Sequence, residues 1–470
     1  MNNALQKFTI SIFLLLILPW IFRDGMFMDG LIYATVAKNL ANGQGSLWHL
    51  HLTNFLSNSY YDQPPLTIWI TSFYFKLFGN TIYTERIYSL TTAIISLLLI
   101  RKIWCQIFYK EKEYQTYWWL PVLFWIIPPA CFWSYTNNME ENTMSIFIIA
   151  SIYFLLNGFY LNKNKTTNTI LMTLSIFLAF MCKGIQGTFP IVGILFFTLC
   201  VTLDNWKTLV KPYIIMSFVI IISIIVLYSY KPSNEYFKNY YFTRLVNTFQ
   251  NPGASTTENR FYLVYRLLME QLTPLLIAFL FLTITSVKKL KRKVEHSRIA
   301  LFFFLLALAG TLPLLITSEQ RRFYLVPTFP FYALAFSITI LYTIDYFIKK
   351  GKTKKLALII NIVSIITFTS MIILTWTTFN VPKRDAILIH DIKLIGEAIP
   401  NGSNISIDPE LYTSWSLHLY FQRLYNISLD PNIPAKQVYY LIRKNENQVP
   451  LIFSEIDLDL IDYKLLRKNE

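Results

Sequence analysis

The ionisable residues that could carry chemistry in this chain lie at the edges of long apolar runs. Asp29 sits in Met28-Asp29-Gly30-Leu31-Ile32-Tyr33, ahead of a stretch in which Ile32, Val36 and Leu40 recur every four residues. A carboxylate there acts as a general base if it is held beside a nucleophile and kept ionised by neighbouring donors; it can equally cap the helix that follows. Glu140 and Glu141 fall in Asn137-Asn138-Met139-Glu140-Glu141-Asn142-Thr143, where a helix N-terminus would stabilise both anions whatever their role. Lys183 stands between two apolar runs with scarcely any loop between them, placed either to reach lipid headgroups or to pair with a phosphate. Arg321 and Arg322 open another run and carry the same two readings. Asp62-Gln63-Pro64-Pro65 is a turn made rigid by its prolines. His49 and His51 can share a face of an extended segment, but two histidines alone do not make a metal site. Neither a Walker loop nor a dinucleotide fingerprint is present.

The elements that must position these residues are membrane helices. The 470 residues are 54% hydrophobic and only 15% charged, against about 25% charged in ordinary globular domains, which excludes a soluble enzyme. Apolar runs of spanning or near-spanning length occur at Phe8 to Phe22, Glu85 to Ile100, Tyr117 to Tyr135, Thr143 to Leu161, Thr169 to Met181 and Ile185 to Leu203. They continue at Pro212 to Tyr230, Gln271 to Val287, Ile299 to Thr317, Phe323 to Phe347 and Leu356 to Phe379, so about eleven membrane helices are predicted. The first run follows Lys7 without a small-residue cleavage site and reads as a helix that stays. Cys105, Cys131, Cys182 and Cys200 are scattered through apolar stretches and read as small core residues.

The net charge of +15 is a matter of threading. Lys and Arg concentrate in alternate connections: Arg101 to Lys112, Lys163 to Lys165, Lys207 to Lys211, Lys288 to Arg298 and Lys349 to Lys355. Such loops face the cytoplasm, which makes the basic excess a topology signal and excludes nucleic acid as the partner. Arg23 to Thr84, Thr136 to Asn142, the Lys183-Gly184 turn, Lys231 to Glu270, Ser318 to Arg322 and everything beyond Asn380 then lie outside. Asp29, Asp62, Glu140, Glu141, Lys183, Glu319, Arg321 and Arg322 are thereby predicted on one face, an arrangement suited to a polar anionic group at the membrane surface.

Two outer segments are longer than turns require. Residues 23–84 begin with the four-residue apolar repeat at Ile32, Val36 and Leu40, with Asp29, Lys38 and Asn39 elsewhere, as in an interfacial helix. A second such helix is predicted over Pro65 to Phe78. Residues 231–270 contain Pro252-Gly253-Ala254-Ser255 beside aromatic pairs and read as a lid or a lipid contact. The division expected is a membrane domain over 1–380 and a soluble α/β domain over 381–470. That tail should hold helices at Arg384 to Ile399 and Leu411 to Leu424, and strands at Ile405 to Ile407, Val438 to Ile442 and Leu451 to Ser454.

Four motifs, taken together, carry a family likeness: Asp29-Gly30-Leu31-Ile32-Tyr33 through Asn39-Leu40; Tyr61-Asp62-Gln63-Pro64-Pro65-Leu66 with Phe75-Lys76-Leu77-Phe78-Gly79; Lys183-Gly184; and Arg322-Phe323-Tyr324-Leu325-Val326-Pro327. In their order and spacing the chain resembles the polyprenyl-phosphate-sugar-dependent glycosyltransferases of the GT-C superfamily, in particular bacterial relatives of the lipid A aminoarabinose transferase and of the protein O-mannosyltransferases. The resemblance covers the first 350 or so residues. It implies a polytopic helical protein of the bacterial cytoplasmic membrane that transfers a sugar, with inversion, from a polyprenyl-phosphate donor to a lipid, glycan or protein hydroxyl.

By that resemblance Asp29 is the base and Glu141, where relatives commonly have Asp, is the second acidic residue. Lys183, Arg321 and Arg322 face the departing phosphate, while Tyr33, Tyr61, Asp62, Glu140 and Tyr324 line the substrate. No cofactor is required and a divalent metal is left open. The chain departs from the family pattern at Gln63, where aminoarabinose transferases carry a basic residue, and offers Asp62 no partner histidine in 231–270. A transporter or flippase would also contact lipid phosphate, but such folds place polar groups near the bilayer midplane, whereas the charges here cluster at one face. A scaffold reading would leave the membrane-face carboxylates unexplained.

Overall fold

In the computed structural model of the chain, residues 1–246, 261–317, 319–350, 353–446 and 452–469 are described, and they fall into two compact units. One comprises Met1–Ile21, Ser89–Thr136 and Glu140–Thr377; the other comprises Phe22–Tyr88, Asn137–Met139 and Thr378–Glu470. The grouping departs from the division expected at residue 380, because the first outer segment packs with the tail.

The first unit is the membrane-spanning body of a multi-pass protein. Among the described residues eight helices are long and apolar enough to cross a bilayer, nine if the pair Tyr262–Glu270 and Leu272–Val287, bent by 59°, is one span. The nine-span count differs from the about eleven predicted at two places, one where two predicted runs are joined by length and one where a run is split. Lys165–Thr202 is one apolar run by length, yet the helix Lys165–Lys183 ends at Gly184, whose φ of +72° only glycine adopts without strain. Gly187 then lies against the backbone of Ala179, a residue that would be about 12 Å away along a straight helix, so the chain doubles back there. Between Tyr117 and Tyr135 the pair Pro128-Pro129 splits the run into Trp119–Ile126 and Pro129–Tyr135.

Burial separates the helices by role. In Arg322–Lys350 the apolar window is 83% buried, whereas in Lys207–Ser229 and Lys354–Thr378 it is 11% buried. The last two expose Ile, Val and Phe on most of their surface, which suits lipid and not water. Several Lys/Arg-rich connections meet at one end of the unit. His296 Nε2 lies 3.0 Å from Glu111, Lys293 also pairs with Glu111, Lys349 lies 3.1 Å from Glu113, and Tyr160 donates to Glu295 at 2.8 Å. Arg322 and Lys349 are at opposite ends of one helical run, roughly 40 Å apart by helical rise.

The second unit is built on the helices Met28–Ala41 and Leu66–Phe78 together with the tail. After the short antiparallel pair β1 Gly45–Ser46 and β2 His49–Leu50, the tail sheet has the order β4-β3-β5-β7-β6, with β3 Asn404–Ile407, β4 Ser428–Asp430, β5 Tyr439–Arg443, β6 Phe453–Ile456 and β7 Tyr463–Lys468. β3 runs parallel to both β4 and β5, and β7 is antiparallel to β5 and β6. Helices Ala386–Ala398 and Trp415–Tyr425 complete this α/β domain; the expected helix at Leu411 to Leu424 begins as a short 3-10 turn, Pro409–Thr413.

The helix Met28–Ala41 forms as the apolar spacing predicts, but its polar residues are not on a wetted face. Lys38 and Asn39 are both fully buried. Asn39 Nδ2 donates to the carbonyls of His51 and Leu52 at 3.1 and 2.8 Å, and Lys38 is held by the tail. Ile32 and Leu40 of the predicted stripe are half-buried and Val36 is buried, while the opposite side is fully covered by other parts of the same unit.

Candidate functional site

In the first unit the break after Lys165–Lys183 gathers much of the predicted chemistry. Glu140 and Glu141 open the helix Glu140–Leu155 and are fully buried, with the helix N-terminus favouring both anions. Lys183 Nζ lies 2.8 Å from Glu141 and 3.9 Å from Glu140. Its ammonium also faces the rings of Tyr324 and Phe323, with centroids at 5.4 and 6.0 Å. Those two residues belong to the 3-10 helix Arg322–Thr328, which is fixed to the region after the break by Gln186 Nε2 donating to the Tyr324 carbonyl at 2.7 Å.

Arg322 extends the cluster. Its guanidinium lies over the Trp133 ring at 5.1 Å, and Trp133 stacks on Phe323 at 5.6 Å. Glu270, buried nearby in charge terms, interacts with both Arg322 and Arg266 and accepts from the backbone N–H of Ala130 at 2.6 Å. Arg321 is exposed. The result is a set of buried ion pairs under aromatic rings with cations at its margin, able to receive a phosphate.

The remaining predicted residues belong to the second unit. Asp29 is half-buried in the first turn of Met28–Ala41; Phe27 occupies the cap position, so Asp29 is a first-turn anion and not the cap. Tyr33, one turn on, is buried. The start of this helix is held by Asn137 and Asn138: Asn137 Oδ1 accepts from Phe27 N at 3.0 Å, and Asn138 Nδ2 donates to the Gly30 carbonyl at 3.2 Å. Gly30 rests directly on the Asn137 backbone, leaving no room for a Cβ, which accounts for a glycine beside Asp29 in a helix. Tyr61 OH lies 3.2 Å from His49 Nδ1, and Asp62 is half-buried ahead of the Pro64-Pro65 turn. His51 Nδ1 is engaged with Asn58 Oδ1 at 2.9 Å.

Among the described residues the group of three or more metal-ligating side chains is Asp408, Glu410 and Glu446; Asp62, His49 and His51 do not form one. The Pro252–Ser255 part of the predicted lid lies outside the described residues.

Residues 62–229 match the family model described as dolichyl-phosphate-mannose-protein mannosyltransferase. No curated protein matches the chain by sequence. In structure the chain is similar to ArnT from Cupriavidus metallidurans bound to undecaprenyl phosphate, with a TM-score of 0.69 at 12% identity over 97% of each chain. The fold is that of ArnT. ArnT from the same organism in the apo state is similar at a TM-score of 0.66 and 11% identity, over 98% of this chain and 96% of that one. The Archaeoglobus fulgidus oligosaccharyltransferase in complex with zinc and sulfate is similar at 0.54 and 12% identity, over 90% of this chain and 64% of that one.

Within this ArnT-like fold three contributors escaped the sequence: Trp133, Gln186 and Glu270. Gln186 acts on a backbone carbonyl and Glu270 on a backbone N–H, contacts that leave no pattern of residue types. The spacing Lys183-Gly184-x-Gln186 is the one signal that could have found Gln186.

Proposed function

We propose that the chain is an inverting glycosyltransferase that moves a sugar from a polyprenyl-phosphate donor to an acceptor hydroxyl on the outer face of the bacterial cytoplasmic membrane. The observation that carries this is the buried Lys183 pinned by Glu141 and Glu140 beneath the Tyr324 and Phe323 rings, with Arg322 beside them. Two carboxylates hold the ammonium in one place, as a preorganised electrostatic site requires. The match to a mannosyltransferase family model and the likeness to ArnT bound to undecaprenyl phosphate support a lipid-phosphate donor.

In the proposed step Asp29 takes the proton of the acceptor hydroxyl as its oxygen attacks the anomeric carbon, opposite the bond to the donor phosphate. That bond breaks, its electron pair stays on the phosphate oxygen, and Lys183, Arg321 and Arg322 stabilise the charge that develops. Glu141 with Glu140 keeps Lys183 aimed, and Tyr33, Tyr61, Asp62 and Tyr324 line the substrates. The outer placement is supported by the basic connections that converge at the end of the first unit away from Arg322.

The test is release of free polyprenyl phosphate from a panel of polyprenyl-phosphate sugars by the purified protein, with cell-envelope extract as acceptor. Release by wild type, and its loss in Asp29→Asn, is the expected result. Release by both would keep the transferase and move the base elsewhere; no release from any donor by folded protein would overturn the proposal in favour of lipid-linked sugar transport.

A further inference from the structure

The second unit contains a fully buried lysine that the proposed reaction does not use. Lys38 lies in the last turn of Met28–Ala41, nine residues after Asp29. Its ammonium donates to the Gln422 carbonyl, to the Arg423 carbonyl at 3.3 Å and to Asn426 Oδ1 at 2.6 Å. These acceptors all belong to the C-terminal end of the tail helix Trp415–Tyr425, where a cation is favoured; the Gln422 carbonyl also receives the Asn426 N–H at 3.2 Å. A lysine ammonium has three N–H donors, and three acceptors face them. The neighbouring Asn39 receives Gln422 Nε2 at 3.4 Å.

The same tail helix also reaches the other end of Met28–Ala41. Tyr420 OH accepts from the Met26 backbone N–H at 3.0 Å, two residues before the helix begins. A methionine or leucine at 38 would fill the space without burying a charge, which is costly unless fully compensated. A buried ammonium instead makes the contact directional, because it is stabilised only when the two helix ends are in register.

We propose that the tail helix Trp415–Tyr425 is a template that grips both ends of Met28–Ala41, and that Lys38 is the positioning residue through which the tail fixes Asp29. This rests on Asp29 being the base proposed above. The C-terminal domain then serves the reaction centre as well as any acceptor it recruits. Asp29 and Lys38 are joined by little more than two turns of continuous helix, so rotation at one end is transmitted to the other.

The experiment uses the full-length protein and three variants. Lys38→Met removes the far grip and Tyr420→Phe the near one, with so small a change in volume that it still reports if Lys38→Met does not fold. Asp391→Asn is the control: Asp391 is buried within the tail and accepts from the Ile461 and Asp462 N–H groups at 2.9 and 2.8 Å, without touching Met28–Ala41. Two readouts are taken, hydrogen exchange over residues 28–41 and the kinetics of polyprenyl-phosphate release.

Exchange over 28–41 should quicken in Lys38→Met and Tyr420→Phe but not in Asp391→Asn. In the same two variants kcat should fall roughly 10- to 100-fold, as small misplacements of a reacting group do, with KM for the donor within about twofold. Unchanged exchange in both grip variants overturns the proposal, as does lost protection with an unchanged kcat, or an equal loss of kcat in all three. A wild type that releases nothing from any donor overturns the transferase reading and with it the role assigned to Asp29, while the exchange arm still decides whether the grip exists.

Discussion

Replacing Lys183 by Met tests the buried cluster directly. Its ammonium is 2.8 Å from Glu141 and 3.9 Å from Glu140, both fully buried. With an effective dielectric constant of about 20, those distances correspond to gross attractions of roughly 6 and 4 kcal/mol. Most of this is offset by the cost of taking the three charges out of water, and removing one member of such a group costs a net ~3–5 kcal/mol because the partners stay behind, buried and less compensated. Lys183→Met should therefore lower the free energy of unfolding by about that much, measured by SDS titration in mixed micelles. Adding Glu141→Gln to Lys183→Met should return part of the loss, a coupling of about 1–3 kcal/mol. Activity should not return with stability, since the cation proposed for the leaving phosphate is still missing. A Lys183→Met protein within ~0.5 kcal/mol of wild type, or a double variant whose cost is the sum of the two singles, would refute the pairing.

Two further outcomes follow from residues of the second unit. Gly30→Ala would gain about 1 kcal/mol in an ordinary helix, but here the added Cβ meets the Asn137 backbone; we expect a net loss of about 1–3 kcal/mol and reduced polyprenyl-phosphate release as the turn carrying Asp29 shifts. His418 is buried against Tyr412, and burial pushes its imidazole down to about 4. The unfolded chain then binds this proton more readily than the folded one, so its contribution to stability is intact above pH ~6.5 and falls by about 1.4 kcal/mol per unit towards pH 4, roughly 3 kcal/mol in all. Thermal unfolding of wild type and His418→Leu across that window should show a shallower pH dependence in the variant.

What was legible in the sequence is what is local. Helices announced themselves by apolar length, and the turn at Lys183-Gly184 was readable because a lysine and a glycine interrupt otherwise continuous hydrocarbon. The first-turn anions Glu140 and Glu141 followed from the run that they open. Lys38 lies off the apolar stripe as read, but its burial left no local signal because its acceptors come more than 380 residues later. Trp133 was invisible for a similar reason: its ring matters only because Phe323 and Arg322 fold onto it. In the tail, β4 has three residues and β7 reads Tyr-Lys-Leu-Leu-Arg-Lys, without clean alternation, so both strands were missed. The grouping of the first outer segment with the tail had no local signal at all.

The unequal burial of the spans bears on how the protein is made. Lys207–Ser229 and Lys354–Thr378, with windows 11% buried, face mostly hydrocarbon and can leave the translocation channel for lipid as soon as they are synthesised. Arg322–Lys350 is different: it carries Thr328, Ser337, Thr343 and Asp345 facing inward, and Asp345 is satisfied by the Tyr117 hydroxyl at 2.8 Å and by Lys349. Tyr117 is already in the membrane when this helix emerges. The Asp345 of this span is thus made after the Tyr117 hydroxyl that receives it, and the final lipid-facing helix follows behind.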